Sequence, residues 1–230
     1  MAIIIDRTCD QEIIDSISRK FPSENIIKTS KLKNISDATA THPDMQIHFV
    51  NDNMAYCAPE CFEYYSRAFS GVTIICGETT PRDTYPMDIA YNAARLGNYV
   101  IANTRYTDHK ILEYYKEHGF EIINTRQGYA KCSLGIMSDN AVITGDSGLY
   151  RLLSKLSDIK CHKTSQENVI LPGYKNGFIG GASGLVRNTA VFFGEPAADI
   201  KKFLSEMNIE YFCAHDGRLR DYGTLICGGD

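Results

Sequence analysis

The sequence lacks the features that mark several classes of protein. Its net charge is only −4 at pH 7 and its pI is near 5.9, so we expect no binding to nucleic acid or to an anionic membrane. No apolar run approaches the roughly 18 residues needed to span a bilayer. The start, MAIIIDRTCD, lacks the basic and apolar regions of a signal peptide. The eight cysteines are therefore interpreted as reduced thiols of a cytoplasmic protein.

Motifs for cofactors and metals are also missing. The glycine-rich segment LPGYKNGFIGGASG (171–184) matches neither the dinucleotide-binding nor the P-loop pattern. Cys57 and Cys61 in CAPEC have no second Cys or His pair at ligand spacing. We therefore expect no cofactor and no metal. The 230 residues, of which 43% are apolar and 23% charged, are typical of one globular domain, 1–230.

What the sequence does contain is an internal repeat. GYAKCSLGIMSDNAVITGD (128–146) is echoed by GFIGGASGLVRNTAVFFGE (177–195), with a constant shift of 177 − 128 = 194 − 145 = 49. NAVITG (140–145) matches NYVIAN (98–103) with a shift of 42 and NMAYCA (53–58) with a shift of 87. Self-similarity at such periods predicts stacked or radial supersecondary units.

Each repeat predicts the same order of elements. A half-apolar strand, a turn (NDN, LGN, SDN or RN) and a second strand form a hairpin, and a segment of helical periodicity and a short extended run follow. The first strands are predicted at 45–50, 87–94, 131–137 and 181–186. The N-terminal strand AIII, its following helix and strand NIIKT lack only a first strand, which the C-terminal DYGTLICGG would supply. The prediction is an α/β propeller of five ββαβ units with pseudo-fivefold symmetry, closed by the C-terminal strand.

This pattern resembles the pentein fold of the guanidino-group-modifying enzymes, which include arginine deiminases, dimethylarginine hydrolases and amidinotransferases. Ribosome anti-association factors share the fold without catalysis. The motifs HPDMQ and GYAKCS resemble most an uncharacterised bacterial family assigned to this fold. The resemblance implies a cysteine thiolate that attacks a guanidinium carbon, a histidine for proton transfer, and carboxylates that bind the cation.

The resemblance places the nucleophile on the C-terminal strand, at Cys227 in GTLICGG, where a buried structural thiol is the alternative. Asp88, in a predicted apolar strand, occupies the place of an acidic residue of the family, and Asp52 matches an acid–turn–strand pattern. For Asp52 a plain turn residue is the alternative. The position of the family's histidine carries Tyr129, and Lys131 stands where an aspartate often follows. Tyr129 and Lys131 would line or block the channel.

A second frame is rotated about the pseudo-fivefold axis. His42-Pro43-Asp44 is a His-x-Asp motif, and the shift of 129 − 42 = 87 puts His42 at the histidine position of the second unit. GYAKC and GTLIC share Gly-x-x-x-Cys with a shift of 227 − 132 = 95. In this frame Cys132 would be the nucleophile, in the fourth unit, two units after that of His42. The alternative is that HPD forms a strand-entry turn. In either frame His42, Asp44, Asp88, Cys132 and Cys227 are expected at one mouth of a central channel.

Two functions remain open. The first is a cysteine-dependent hydrolase or transferase of a carbon–nitrogen bond in a guanidine- or amidine-like small molecule. The second is a non-catalytic pentein-fold protein that binds a partner protein or a small cation. The histidine missing from the fourth unit favours binding, whereas the matched cysteines, the His-x-Asp motif and Asp88 favour catalysis.

Overall fold

Five copies of one supersecondary unit form the computed structural model of the protein, which describes residues 1–229. In every unit the first and second strands are antiparallel, the second and third are parallel, and a helix connects the second to the third. One unit takes its first strand from the C-terminal end of the chain, where Cys227 pairs with Ile3. The sequence predicted this unit and this pairing.

The bounds of the elements follow the chain. The N-terminal unit has β1 (Ala2–Ile5), α1 (Gln11–Lys20) and β2 (Asn25–Lys28). The second has α2 (Pro43–Gln46), β3 (Ile47–Asn51), β4 (Met54–Cys57), a 3₁₀ turn (Pro59–Cys61), α3 (Phe62–Ala68) and β5 (Thr73–Cys76). The third has β6 (Ala94–Leu96), β7 (Tyr99–Ala102), α4 (His109–Glu117) and β8 (Glu121–Asn124). The fourth has α5 (Ala130–Ser133), β9 (Leu134–Ser138), β10 (Ala141–Thr144), α6 (Ser147–Leu153) and β11 (Lys160–Lys163). The fifth has β12 (Ser183–Val186), β13 (Thr189–Phe192), α7 (Ala198–Glu206) and β14 (Glu210–Cys213), and β15 (Ile226–Gly228) is the last strand.

Local sequence explains where the helices begin and end. The Asp146 carboxylate accepts from the backbone N–H groups of Gly148 and Leu149 at 2.7 and 2.8 Å, which satisfies two unpaired donors at the start of α6. Gly119 has φ +74° just after α4, a conformation that costs glycine little and ends the helix. The apolar stripe of α1, which includes Ile13 and Ile17, is buried against the sheets.

All four predicted first strands begin later than the sequence indicated. Residues 87–93 form turns and irregular backbone, and only Ala94 of the predicted strand 87–94 belongs to β6. Asp88 therefore does not lie in a strand. Residues 43–46 and 130–133 are short helices instead. These runs look like strands because they are buried on nearly all sides, and a short apolar run does not distinguish a buried strand from a buried helix.

The five first strands are neighbours in the order β3, β15, β12, β9, β6. They surround a single cavity that all five line. Within residues 1–229 the five sheets remain separate three-stranded sheets and none closes on itself, so the closed propeller stays a prediction. No helix in this part of the chain has the length and apolar character to cross a membrane.

Candidate functional site

The axial cavity, enclosed by the five first strands, has a volume of about 430 Å³. It lies toward the hairpin-turn ends of these strands, since Asp52, Arg95 and Arg187 from three hairpins line it together with the end of β15. Of the predicted site residues, Asp44, Asp52, Lys131 and Cys227 line this cavity. Such concave, partly apolar sites with a few polar groups are where small molecules bind.

Cys227, on β15, lines the axial cavity and also packs against the core cluster that includes Ile3. Burial and the negative charge of Glu24 raise the pKa of Cys227 to about 12, while the positive charge of Lys131 opposes them. Any ligand that brings further positive charge would act in the same direction as Lys131. The thiol therefore becomes more acidic when a cation occupies the cavity.

Lys131 extends from α5 into the same cavity. It takes part in none of the ion pairs formed within residues 1–229. Burial lowers the pKa of this ammonium group, and the Asp44 carboxylate opposes that shift. An ammonium group with a lowered pKa gives up a proton more easily than a lysine in water.

The rim of the axial cavity is mainly cationic. Arg95 donates to the Val50 carbonyl at 3.1 Å, and Arg187 pairs with Glu24. Asp52 is the exposed carboxylate among the lining residues. His48 also lines the cavity, but its Nε2 lies 2.8 Å from the Tyr115 hydroxyl, and burial lowers its pKa to about 3. His48 is thus held neutral and is poorly suited to proton transfer near pH 7.

Asp44 connects the axial cavity to a buried polar network. Its Oδ2 accepts from the Thr224 hydroxyl at 2.8 Å and from the Cys132 thiol at 2.9 Å, whereas its Oδ1 is buried without a partner among the described residues. Burial raises the pKa of Asp44 to about 6. Asn92 completes the network. Its amide nitrogen lies 3.1 Å from the Cys132 Sγ, and its Oδ1 accepts from the backbone N–H of Lys131 at 2.8 Å.

Cys132 occupies a different setting from Cys227, although both end a Gly-x-x-x-Cys motif. It lies in helix α5 rather than in a strand, and it does not line the axial cavity. Burial and the Asp44 carboxylate hold the pKa of this thiol well above its usual range. Cys132 therefore does not share the surroundings of Cys227, and it serves as a hydrogen-bond donor inside the network.

The backbone of the segment before β15 is shaped to make this network. Thr224 has φ +72°, which is rare for a β-branched residue, and its hydroxyl is the donor to Asp44. Gly223 has φ +70° and passes so close to His42 that a Cβ there would lie 2.1 Å from the His42 Cβ. Strain of this kind persists only where the surroundings fix it, and it is common at functional sites.

Of the five residues expected at one mouth, Asp44 and Cys227 line the axial cavity and Cys132 donates to Asp44, whereas His42 and Asp88 lie elsewhere. His42 precedes α2 and lines a second cavity, between Asp6 and Asp221. Asp88 accepts from the Tyr129 hydroxyl at 2.5 Å. Burial raises the pKa of both groups, and this hydrogen bond raises that of Tyr129 further and opposes the rise for Asp88. Tyr129 and Asp88 are thus paired with each other, and neither lines the axial cavity.

Several site residues carried no recognisable signal in the sequence. These are the network member Asn92, the strained Thr224, the cationic rim residues and the two carboxylates beside His42. Asn92 stands in YNAA and Asp221 in RDYG, contexts that also suit ordinary turns. The tertiary contacts that give them a role join residues far apart in the chain, such as Asp44 and Thr224.

Comparison with known proteins identifies the fold. Residues 4–226 match the model of a family of unknown function, DUF6873. No curated protein matches the chain.

Among solved structures, DDAH from Pseudomonas aeruginosa in complex with citrulline is 9% identical over 92% of this chain and 91% of its own, with a TM-score of 0.56. SxtG, an amidinotransferase of saxitoxin biosynthesis from Microseira wollei, is 10% identical over 94% and 76%, with a TM-score of 0.54. ArgZ, an arginine dihydrolase from cyanobacteria, is 9% identical over 100% and 39%, with a TM-score of 0.58. The likeness establishes a pentein-type α/β fold.

Proposed function

The chain belongs to the DUF6873 family, and we propose that it is an enzyme acting on a carbon–nitrogen bond of a small amidine- or guanidine-type molecule in the axial cavity, with Cys227 as nucleophile. Three of the pentein-fold structures similar to it are described as DDAH, an amidinotransferase and an arginine dihydrolase. The five units then form the walls of the reaction chamber, with β15 completing the ring.

One observation carries the proposal: a thiol, an ammonium group and a carboxylate line the same cavity, on Cys227, Lys131 and Asp44. The Asp44 Oδ1 has no partner among the described residues and accepts an N–H of the amidinium. The bound cation and Lys131 both lower the pKa of the Cys227 thiol, which forms the thiolate needed for attack.

The chemistry balances with these three residues. The Cys227 thiolate forms a C–S bond to the amidine carbon, and the C–N bond breaks as Lys131 gives its proton to the leaving amine. Water then adds to the same carbon, returns a proton to Lys131, and the C–S bond breaks to restore the thiolate. The sum is amidine plus water giving amide plus amine. An amine in place of water would make the enzyme a transferase.

The second candidate is a pentein-fold protein that binds a small cation without catalysis. Its support is that burial raises the pKa of Cys227 to about 12 and lowers that of His48 to about 3, which keeps His48 neutral. No histidine stands at the position of Tyr129. Both candidates place the ligand in the axial cavity, so they differ only in what Cys227 does.

The test compares two alkylating reagents of the same shape. Chloroacetamidine carries an amidinium, and chloroacetamide is its neutral counterpart. We expect chloroacetamidine to label Cys227 much faster at pH 7, and Asp44→Asn to reduce that preference. Lys131→Met should slow labelling about tenfold if the lysine lowers the thiol pKa by about one unit. Peptide mass spectrometry follows each cysteine, and half-buried Cys161, outside the cavity, is the internal control.

The outcomes separate the candidates. Equal rates for both reagents at Cys227 would show that the cavity does not recognise an amidinium and would refute the enzyme proposal. Saturable protection by an amidine with no thiolate reactivity at Cys227 below pH 9 would support binding without catalysis.

A further inference from the structure

A second cavity, distinct from the axial cavity, opens beside His42. Its volume is about 300 Å³, and it shares no lining residue with the axial cavity. The end of β1, the loop before α2 and the segments around residues 170–172 and 220–222 enclose it. We name it the acidic cavity because four aspartates line it: Asp6, Asp10, Asp37 and Asp221.

Two of the four carboxylates pair with an arginine or a lysine, and the other two have only His42 within ion-pair distance. Asp10 pairs with Arg220, and Asp37 pairs with Lys31. Asp6 and Asp221 are 1% and 4% exposed, and within residues 1–229 neither has a Lys or Arg in ion-pair contact. Burying two carboxylates without a cation is costly, so a positive charge between them stabilises the site.

His42 lies between these carboxylates and marks the place of a ligand. Its Nδ1 is 3.9 Å from Asp221 and its Nε2 is 4.0 Å from Asp6, both beyond hydrogen-bond distance. The side chain is only 3% exposed, yet Nδ1 has no hydrogen-bond partner among the described residues. A buried ring nitrogen without a hydrogen-bond partner is costly, and a ligand that carries N–H donors would supply that partner.

Protein groups already donate hydrogen bonds to both carboxylates, which limits the acceptor sites that remain for a ligand. The Asp6 Oδ1 accepts from the Thr8 N–H and from the Thr8 hydroxyl, both at 2.7 Å, and its Oδ2 accepts from the Thr41 hydroxyl at 2.9 Å. Asp221 accepts from the N–H groups of Phe178 and Gly223 at 2.8 and 3.0 Å, one on each oxygen. These bonds hold both carboxylates in place, and acceptor capacity for a further donor remains at the Asp6 Oδ2 and at both oxygens of Asp221.

We propose that the acidic cavity binds a small primary alkylammonium ion, with its N–H donors directed to Asp6, Asp221 and the Nδ1 of His42. Ile170, Leu171 and Pro172 give the cavity an apolar wall that suits a short alkyl chain. A bare metal ion fits less well, because no group of three His, Cys, Asp or Glu side chains within residues 1–229 has the geometry to hold one. The site is independent of the chemistry proposed for the axial cavity.

The test titrates the full chain with propylammonium chloride by isothermal calorimetry, with potassium chloride, 1-propanol and sodium propionate as controls. We expect propylammonium to bind saturably and to raise the melting temperature, and the three controls to do neither. Binding of propionate with equal affinity, or no difference between propylammonium and potassium, would overturn the proposal.

Three variants locate the bound ion. Ala38→Phe places a ring in the cavity from its half-buried rim and should lower the affinity at least tenfold. Asp6→Asn should do the same with little loss of structure, since the Thr41 hydroxyl can rotate to accept from the new amide. Asp139→Asn, a remote exposed change, is the charge control. Labelling of Cys227 by chloroacetamide should stay as in the natural chain in all three variants.

Each outcome decides the matter even if one variant folds poorly. Unchanged propylammonium affinity in folded Ala38→Phe would show that the ion binds elsewhere and would overturn the proposal. Loss of affinity with unchanged Cys227 labelling supports a separate site, whatever the fate of the amidine chemistry.

Discussion

Gly223→Ala is the change that most directly tests how the two cavities are held together. The residue has φ +70°, and an added Cβ would lie 2.1 Å from the His42 Cβ and 2.7 Å from its Cα. The left-handed conformation costs an L-residue about 1–2 kcal/mol. Displacing packed groups adds about 1–3 kcal/mol. We therefore expect a loss of about 2–5 kcal/mol in the free energy of unfolding, and a displaced His42.

Gly119→Ala is the matched control. Gly119 has φ +74° after helix α4, but a Cβ there would meet nothing within 4 Å, so only the conformational cost of about 1–2 kcal/mol applies. Because the chain has no tryptophan, circular dichroism is the suitable signal for urea unfolding. Gly223→Ala should also weaken propylammonium binding, which Gly119→Ala should leave intact. Equal losses of stability in the two variants would refute the argument from close packing.

Two further predictions concern buried carboxylates. Burial raises the pKa of Asp44 from 3.8 to about 6, so the folded protein holds this proton more tightly than the unfolded chain. Its contribution to stability is complete below about pH 4 and is lost as the pH rises through 6, amounting to about 3 kcal/mol. Asp44→Asn should lack this loss in urea unfolding from pH 4 to 7, and an unchanged slope would contradict the assignment. Tyr129→Phe removes the donor to Asp88 and should cost about 1–3 kcal/mol at pH 7, but clearly less in an Asp88→Asn background.

The repeat in the sequence predicted the fold well because each unit repeats its own local signals. The shift of 87 residues pairs His42 with Tyr129, and both stand directly before a four-residue helix, α2 and α5. The helices themselves were not predicted, because their apolar residues are buried on all sides and carry no period of their own. Turn residues between the paired strands gave the clearest signal of where one strand ends and the next begins.

The polar partners inside the site could not be predicted in the same way. Asp44 meets Thr224 and Cys132 across 180 and 88 residues of chain. The sequence around Asn92 does not indicate that its side-chain amide forms hydrogen bonds with both Cys132 and the backbone at the start of α5. Such contacts depend on how the units pack against one another, and residues of the same type at matching repeat positions can meet different neighbours.

Cys132 and Cys227 show this limit most clearly. The shift of 95 residues aligns their motifs, yet Cys132 lies in helix α5 and contacts Asp44 and Asn92, while Cys227 lies on strand β15 and lines the axial cavity. A thiol that donates to a buried carboxylate keeps its proton, because ionising it would place two negative charges side by side. Within residues 1–229 the Cys227 thiol donates to no carboxylate, and the positive charge of Lys131 opposes the rise in its pKa that burial and Glu24 cause. Chloroacetamidine should accordingly leave Cys132 unlabelled where it labels Cys227, and rapid labelling of Cys132 at pH 7 would reverse the assignment of the nucleophile.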